Sequence, residues 1–511
     1  MKVLLLGTDG ARTAGPRIGL KPFASLAFVA ILGFFVGKDF TSPEAAVRLA
    51  GVVILVWIGL LLLRFPSYAF ILFLVTLPLE AALVLEVGFT IRPSYLALVG
   101  LTMVILSEYA FNRQTGSFKS PLTVPILAYL GISALSLSMT AVIPPPAVDL
   151  ASEVKLRGSA IRSFIQLAFL FLSSLGCFYT VYFCKDASRV LRALKWYIST
   201  AVVLSVYGIY QFFGRLLGLP FVDITNALGT GGGVYHAATY GDWTYFRSHA
   251  TFQEPLNFGH YLLSAFPLIL TLALYRGRGG ANGWRARMGY WLAAAVMGAA
   301  LFLTRSRGAW IGLLGGLAVL LLAFGWRARI RMLVAAAVIA LGVHVGVSLF
   351  APGAYDLLWL AVSERFSEGQ LEYEPRFQVF PFTMALFKRY PILGVGIGNY
   401  PLHQAHEFGF ALLGSAHGIF WQALVETGVL GFLAFVGMLA RFYQLLFRGM
   451  RHAKGTPWYP YIMGYAAAFT AMFVQYLFYA DRLNLYVWFL MGLAISTVRL
   501  VEKRVEEIHG W

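Results

Sequence analysis

The sequence predicts an all-α polytopic membrane protein with about 14 spans (12–14). Three observations predict it. The chain is 59% hydrophobic and only 12% charged, with a mean hydropathy of +0.72. Many apolar runs are about 17–25 residues long, the length that crosses a bilayer. Lys and Arg gather in the short stretches between those runs, as topology signals do. Backbone groups in lipid must be satisfied internally, so such runs are helices rather than open sheet. The same loop placement explains the formal net charge of +17 better than nucleic-acid binding does.

The apolar pattern places spans at 22–37, 46–63, 66–86, 92–108, 122–141, 160–184, 193–217, 256–275, 288–304, 308–326, 332–350, 417–440, 459–480 and 483–499. The N-terminal apolar run Val3–Leu6 is too short for the core of a signal peptide. The first span is therefore expected to act as an uncleaved anchor. Cys177 and Cys184 lie seven apart in one run and read as small buried residues rather than a disulfide or metal pair.

Alternating the spans from a cytoplasmic N-terminus puts 25 of the 40 Lys and Arg residues inside. That bias predicts both termini inside. It leaves 142–159, 218–255 and 351–416 as the longer outer segments. The last is mildly acidic, with Asp356, Glu364, Glu368, Glu372, Glu374 and Glu407 against Arg365, Arg376, Lys388 and Arg389. Four regions follow: 1–217, N-terminal spans; 218–350, a central region; 351–416, the long outer loop; and 417–511, C-terminal spans. Within the loop, Pro375–Tyr390 reads as a helix. Pro375 suits its first turn, and Phe377, Phe380, Met384 and Phe387 form an apolar stripe. It is expected on the outer membrane surface, stripe down.

Four stretches carry candidate chemistry. Thr304-Arg305-Ser306-Arg307-Gly308 sets two arginines in a tight turn between apolar runs. They serve either as interfacial anchors or as an anion clamp, since guanidinium forks match phosphate oxygens. Arg247–His260 runs from an outer loop into the eighth span. There Arg247, Glu254 and Asn257 can meet a sugar or phosphate, or Glu254 and Pro255 simply start a helix. Arg376 stands at the start of the loop helix, as a surface charge or a ligand contact.

The fourth stretch is Phe387–Gly431. Gly394, Gly396 and Gly398 lack the lysine of a phosphate loop and read as a tight backbone path ending at Asn399. His403 and His406 have metal-like spacing, but no third ligand stands near them, so no metal and no cofactor is expected. His417 sits where the loop meets a span, placed to take a proton from a hydroxyl or merely to end a helix. On one continuous helix, Glu426 would lie about 13 Å deeper, an acid that needs a partner.

In this order the stretches resemble the O-antigen ligase/polymerase superfamily of bacterial membrane glycosyltransferases. The matches are R-S-H-A-T-F-Q-E-P-L-N-F-G-H-Y-L (Arg247–Leu262), T-R-S-R-G-A (Thr304–Ala309), R-Y-P-I-L-G-V-G-I-G-N-Y (Arg389–Tyr400) and H-G-I-F-W-Q-A-L-V-E-T-G-V-L-G (His417–Gly431). One position departs: the residue after the histidine is commonly Asn in the family and is Gly418 here. The resemblance implies a metal-independent, inverting enzyme of the GT-C type in the bacterial inner membrane, with a periplasmic active site. Its donor would be a glycan on undecaprenyl diphosphate. By motif position, Arg307 and Arg376 would bind the diphosphate and His417 would act on the acceptor hydroxyl. Arg305, Arg247, Glu254, Asn257, Asn399, His403, His406 and Glu426 are the remaining substrate-binding candidates. The acceptor would be another lipid-linked repeat (an O-antigen or exopolysaccharide polymerase) or lipid A–core (a ligase), with the polymerase reading slightly preferred. Polysaccharide export machinery is a further expected partner. A secondary transporter or lipid-linked sugar flippase is the alternative of another class. It is disfavoured because the distinctive polar residues gather at outer helix ends and no internal repeat shows.

Overall fold

The computed structural model describes residues 63–82, 85–86, 90–111, 117–143, 159–220, 237–240, 243–275, 282–323, 325–350, 375–408, 415–479 and 483–509. The expectations for spans 22–37 and 46–63 lie outside them, as do those for segments 144–158, 221–236 and 351–374. The chain divides into two compact units, Met1–Tyr68 and Ala69–Trp511. The second is a helical bundle with two short antiparallel ribbons, β1 (Leu85–Glu86) with β2 (Thr90–Ile91) and β3 (Ala237–Tyr240) with β4 (Trp243–Phe246).

In chain order the helices are α1 (Pro66–Thr76), α2 (Pro93–Ala110), α3 (Thr123–Ser136), α4 (Met139–Val142), α5 (Ser159–Phe183), α6 (Ala187–Leu216), α7 (Pro255–Leu274) and α8 (Asn282–Leu303). Then come α9 (Arg307–Ala323), α10 (Trp326–Phe350), α11 (Pro375–Arg389), α12 (Tyr400–Phe408), α13 (Ile419–Ala453), α14 (Tyr459–Gln475) and α15 (Leu485–His509). Among the described residues, 7 helices are long and apolar enough to cross a membrane, and α1, α9 and Arg287–Leu303 of α8 are shorter apolar helices. Leu322 (84% exposed), Val124 (76%) and Leu292 (68%) point outward from the bundle. So much apolar surface facing out fits lipid rather than water.

Two expected spans take a different form. The run 66–86 is helical only to Thr76. Pro78 follows two residues later, and the residue before a proline is pushed out of the helical region. The chain then turns, with Ala81 N–H bonded to Thr251 O at 2.9 Å. The run 417–440 becomes a 35-residue helix broken at Gly428 (φ 65°, ψ −169°). Elsewhere the boundaries follow local chemistry. Asp186 accepts from Arg189 N–H at 2.9 Å and starts α6, as a capping carboxylate should. Cys177 is buried in α5, and Cys184 is buried just beyond its end.

The buried helix α14 packs along both α7 and α9. The α9 seam is made of glycine. Cβ atoms at Gly312 and Gly316 would stand 2.6 Å from Ala471 O and 2.9 Å from Ala467 O. Small residues four apart let membrane helices approach backbone to backbone. Gly308 continues the row, with Gln475 Cγ at 3.6 Å from its ideal Cβ. This seam sets the arginine turn beside the C-terminus of α14. Gly312→Ala is expected to lower the thermal unfolding midpoint of the purified protein, at about 1–3 kcal/mol of overpacking. Gly437→Ala, where nothing lies within 4 Å, should leave the midpoint unchanged or raise it. Equal midpoints for both variants would contradict the seam.

Candidate active site

The helix ends that alternating topology assigns to the outer side meet at one end of the bundle. Among the described residues three non-glycine residues have positive φ, and all three sit there: Ala250 (49°), Arg305 (51°) and His417 (50°). Each stands just before a helix, α7, α9 or α13, in one of the motif stretches. Such conformations cost on the order of 1–3 kcal/mol and persist where surrounding structure enforces them.

At the first, Gln211 Oε1 of α6 accepts from both His249 N–H (3.0 Å) and Ala250 N–H (2.8 Å). Ser248 donates to Gly208 O at 2.8 Å, and Thr251 donates to Pro78 O at 2.7 Å. The stretch is thus a hub that joins α1, α6 and the start of α7. The second is the arginine turn. Ser306 Oγ accepts from Ala309 N–H at 3.3 Å, capping α9 and explaining why the helix begins at Arg307. Arg247 Nε donates to Thr304 O at 3.2 Å and its Nη2 to Arg305 O at 3.5 Å. Arg247 therefore holds the turn in shape. Arg305 is buried and Arg307 is half-buried.

The third is His417. Ile419 N–H bonds Tyr476 O at 3.0 Å, which seats the start of α13 on the C-terminus of α14. A Cβ on Gly418 would lie 2.6 Å from Leu477 O and 2.9 Å from Trp421 Cδ1. That close approach leaves no room for a side chain and accounts for the glycine at this position. Because Gln475 also donates to Leu256 O at 3.2 Å, one short segment of α14 touches all three helix starts.

The glycine run and the break in α13 are one construction. In an unbroken helix, Val425 and Glu426 carbonyls would pair with Val429 and Leu430 N–H groups. Instead Val395 N–H and Gly396 N–H donate to the two carbonyls, each at 3.0 Å. The two amides donate to Pro391 O (2.8 Å) and Ile392 O (3.4 Å). The loop 391–396 is inserted into the helical ladder and satisfies both of its cut edges, which a buried, lipid-depth backbone requires. A Cβ at Gly428 would stand 2.1 Å from Ile392 O, and one at Gly394 (φ 68°) 2.4 Å from Val425 O. Either side chain would pry the two apart.

Glu426 stands on the unbroken stretch of α13 before Gly428, nine residues beyond His417. It lies in the outer half of a broken helix, buried, with Oε1 accepting from Tyr400 N–H at 3.2 Å. Asn399 is 2% exposed and donates to Val395 O at 3.2 Å, so it braces the loop. The loop helix α11 begins at Pro375 as expected, with Arg376 second. Its protein-facing side is Val379, Thr383 and Leu386, and Phe380 stays 42% exposed. Thr383 reaches the Tyr400 hydroxyl at 2.7 Å, so α11 docks on the loop and α13.

His403 and His406 fall on α12. Among the described residues, no group of three His, Cys, Asp or Glu side chains could hold a metal. Burial first, then the neighbouring His406 and Arg389, pushes the His403 pKa down to about 4, so this imidazole is neutral at ordinary pH. Glu254 is the N-cap residue of α7, its side chain making no capping bond, with Pro255 in the first turn.

Sequence reasoning missed one cluster. Glu80 is buried, pairs with Arg92 at 2.5 Å and accepts from Asn257 at 2.8 Å. Tyr479 also bonds Asn257. Asn257 is thereby tied to two other segments. An acid inside the apolar run 66–86 was the available signal.

These features define a multi-pass membrane protein with a strained, arginine- and histidine-bearing polar site at one end of its bundle. Residues 292–436 match the family model described as O-antigen ligase. Over those residues the chain resembles the O-antigen ligase/polymerase superfamily, which supports an enzyme function of that general type. Three of the four motif stretches fall inside the match, while Arg247–Leu262 precedes it. No curated protein matches the chain.

Proposed function

We propose that this protein transfers a glycan from an undecaprenyl-diphosphate donor to a hydroxyl acceptor at the periplasmic face of the bacterial inner membrane. The observation that carries the reading is the convergence of the arginine turn and the His417 helix start on the end of α14. Arg307, with Arg376 from the loop helix, neutralises the diphosphate. His417 accepts the proton of the acceptor hydroxyl as its oxygen attacks the anomeric carbon. The bond from that carbon to the diphosphate oxygen breaks, undecaprenyl diphosphate leaves, and the configuration inverts. Charge neutralisation of a good leaving group and one base suffice for this chemistry, and no metal is required.

The acceptor is taken to be a second lipid-linked repeat unit, the polymerase reaction. Deleting the gene should leave surface glycan as single repeat units. Long lipid-linked chains accumulating instead would replace this acceptor with lipid A–core, and an unchanged glycan would overturn the reading.

A further inference from the structure

A cleft opens beside the His417 helix start, between α5, α3 and the outer half of α13. Its polar lining is Arg162, Gln166 and Ser173 of α5 with Gln422 and Glu426 of α13. Tyr129 and Phe169 add aromatic walls. Arg162 Nε donates to Gly398 O at 2.6 Å, so the inserted glycine loop forms one rim. The cleft is linked to the segment of the proposed base through one lining residue: Gln422 Oε1 accepts from Ala416 N–H at 2.6 Å, the residue before His417.

The chemistry of this lining differs from that of the arginine turn. A diphosphate only accepts hydrogen bonds and repels a carboxylate, so Glu426 makes the cleft a poor anion site. A sugar hydroxyl both donates and accepts. Two glutamines, a serine, a guanidinium and a carboxylate together offer both kinds of partner, and each amide or guanidinium can make several bonds. Aromatic walls suit the apolar faces of a pyranose ring. Polar side chains on membrane-spanning helices are costly to keep unless they serve a polar path. Along α5, Arg162 to Ser173 spans about 16 Å by helical rise.

We infer that this cleft is the binding site for the neutral sugar of the acceptor glycan, with Arg162, Gln166, Gln422 and Glu426 contacting its hydroxyls. His417 then separates two subsites, anionic donor on the α9 side and neutral acceptor on the α5 side. The inference rests on the transfer reaction proposed above and adds the substrate class of its second subsite.

The test uses the full-length protein in nanodiscs and two probes. One is the neutral oligosaccharide released by mild acid from the host's own lipid-linked glycan; the other is inorganic pyrophosphate. Binding is read by calorimetry and transfer by initial rates with varied acceptor. Gln166→Ala and Glu426→Gln should each weaken oligosaccharide binding and raise the acceptor KM at least 10-fold, leaving pyrophosphate binding unchanged. Because Glu426 also supports Tyr400, Gln166→Ala decides if Glu426→Gln fails to fold. Oligosaccharide binding unaffected by Gln166→Ala, or pyrophosphate weakened instead, overturns the inference. A wild-type protein that binds the oligosaccharide through Gln166 yet transfers nothing would overturn the transfer reading alone.

Discussion

Arg307→Ala is expected to reduce transfer by on the order of 10²–10³-fold, the loss that follows removal of one preorganised donor to developing charge. Arg307 is the first residue of α9, yet the helix start is capped by Ser306 and its packing is set by the glycine row. The variant should therefore accumulate normally and unfold at the wild-type midpoint. Arg307→Lys keeps the charge but not the planar fork, and it should recover only part of the rate. Initial rates at saturating acceptor check this. Arg307→Ala at wild-type rate would remove the turn from the reaction. A lowered rate with an equally lowered midpoint would mean that the turn is only structural.

His417 is expected to show an even larger effect, about 10²–10⁴-fold for loss of a general base. Its backbone makes the test sharper. At φ 50° a side chain carries a steric penalty that glycine avoids, and that asparagine tolerates better than alanine. His417→Gly should therefore be at least as stable as wild type, by about 1 kcal/mol, and inactive. His417→Asn should keep the local backbone and be equally inactive. A more stable but dead glycine variant would show that the strained histidine is retained for chemistry. Full activity in His417→Asn would contradict the assignment of the imidazole as base.

Much of this arrangement was legible in the chain because it rests on local signals. Apolar run length located most of the long described helices, and Pro255 and Pro375 marked helix starts. What escaped the sequence is non-local. Nothing in Gly394-Val395-Gly396 says that it will fill the gap at Gly428, since the pairing joins residues some thirty positions apart. The break itself was hidden because Thr427-Gly428-Val429 sits within an apolar run whose hydropathy is that of a continuous span. The partners of Arg247 escaped for a similar reason: they are carbonyls near Thr304, and a carbonyl has no sequence signature. Glu80 and Arg162 carry no local signal of their partners, which folding brings from Asn257 and from the glycine loop.

The most direct test of the central claim is reconstitution. Purified protein is placed in proteoliposomes with radiolabelled lipid-linked repeat units as both donor and acceptor, in buffer containing EDTA. The account predicts dimeric and longer lipid-linked glycan with wild-type protein, inversion at the new linkage, and none with Arg307→Ala or His417→Gly. Unextended repeat units with wild-type protein, when a lipid A–core acceptor is also offered and remains unmodified, would contradict it.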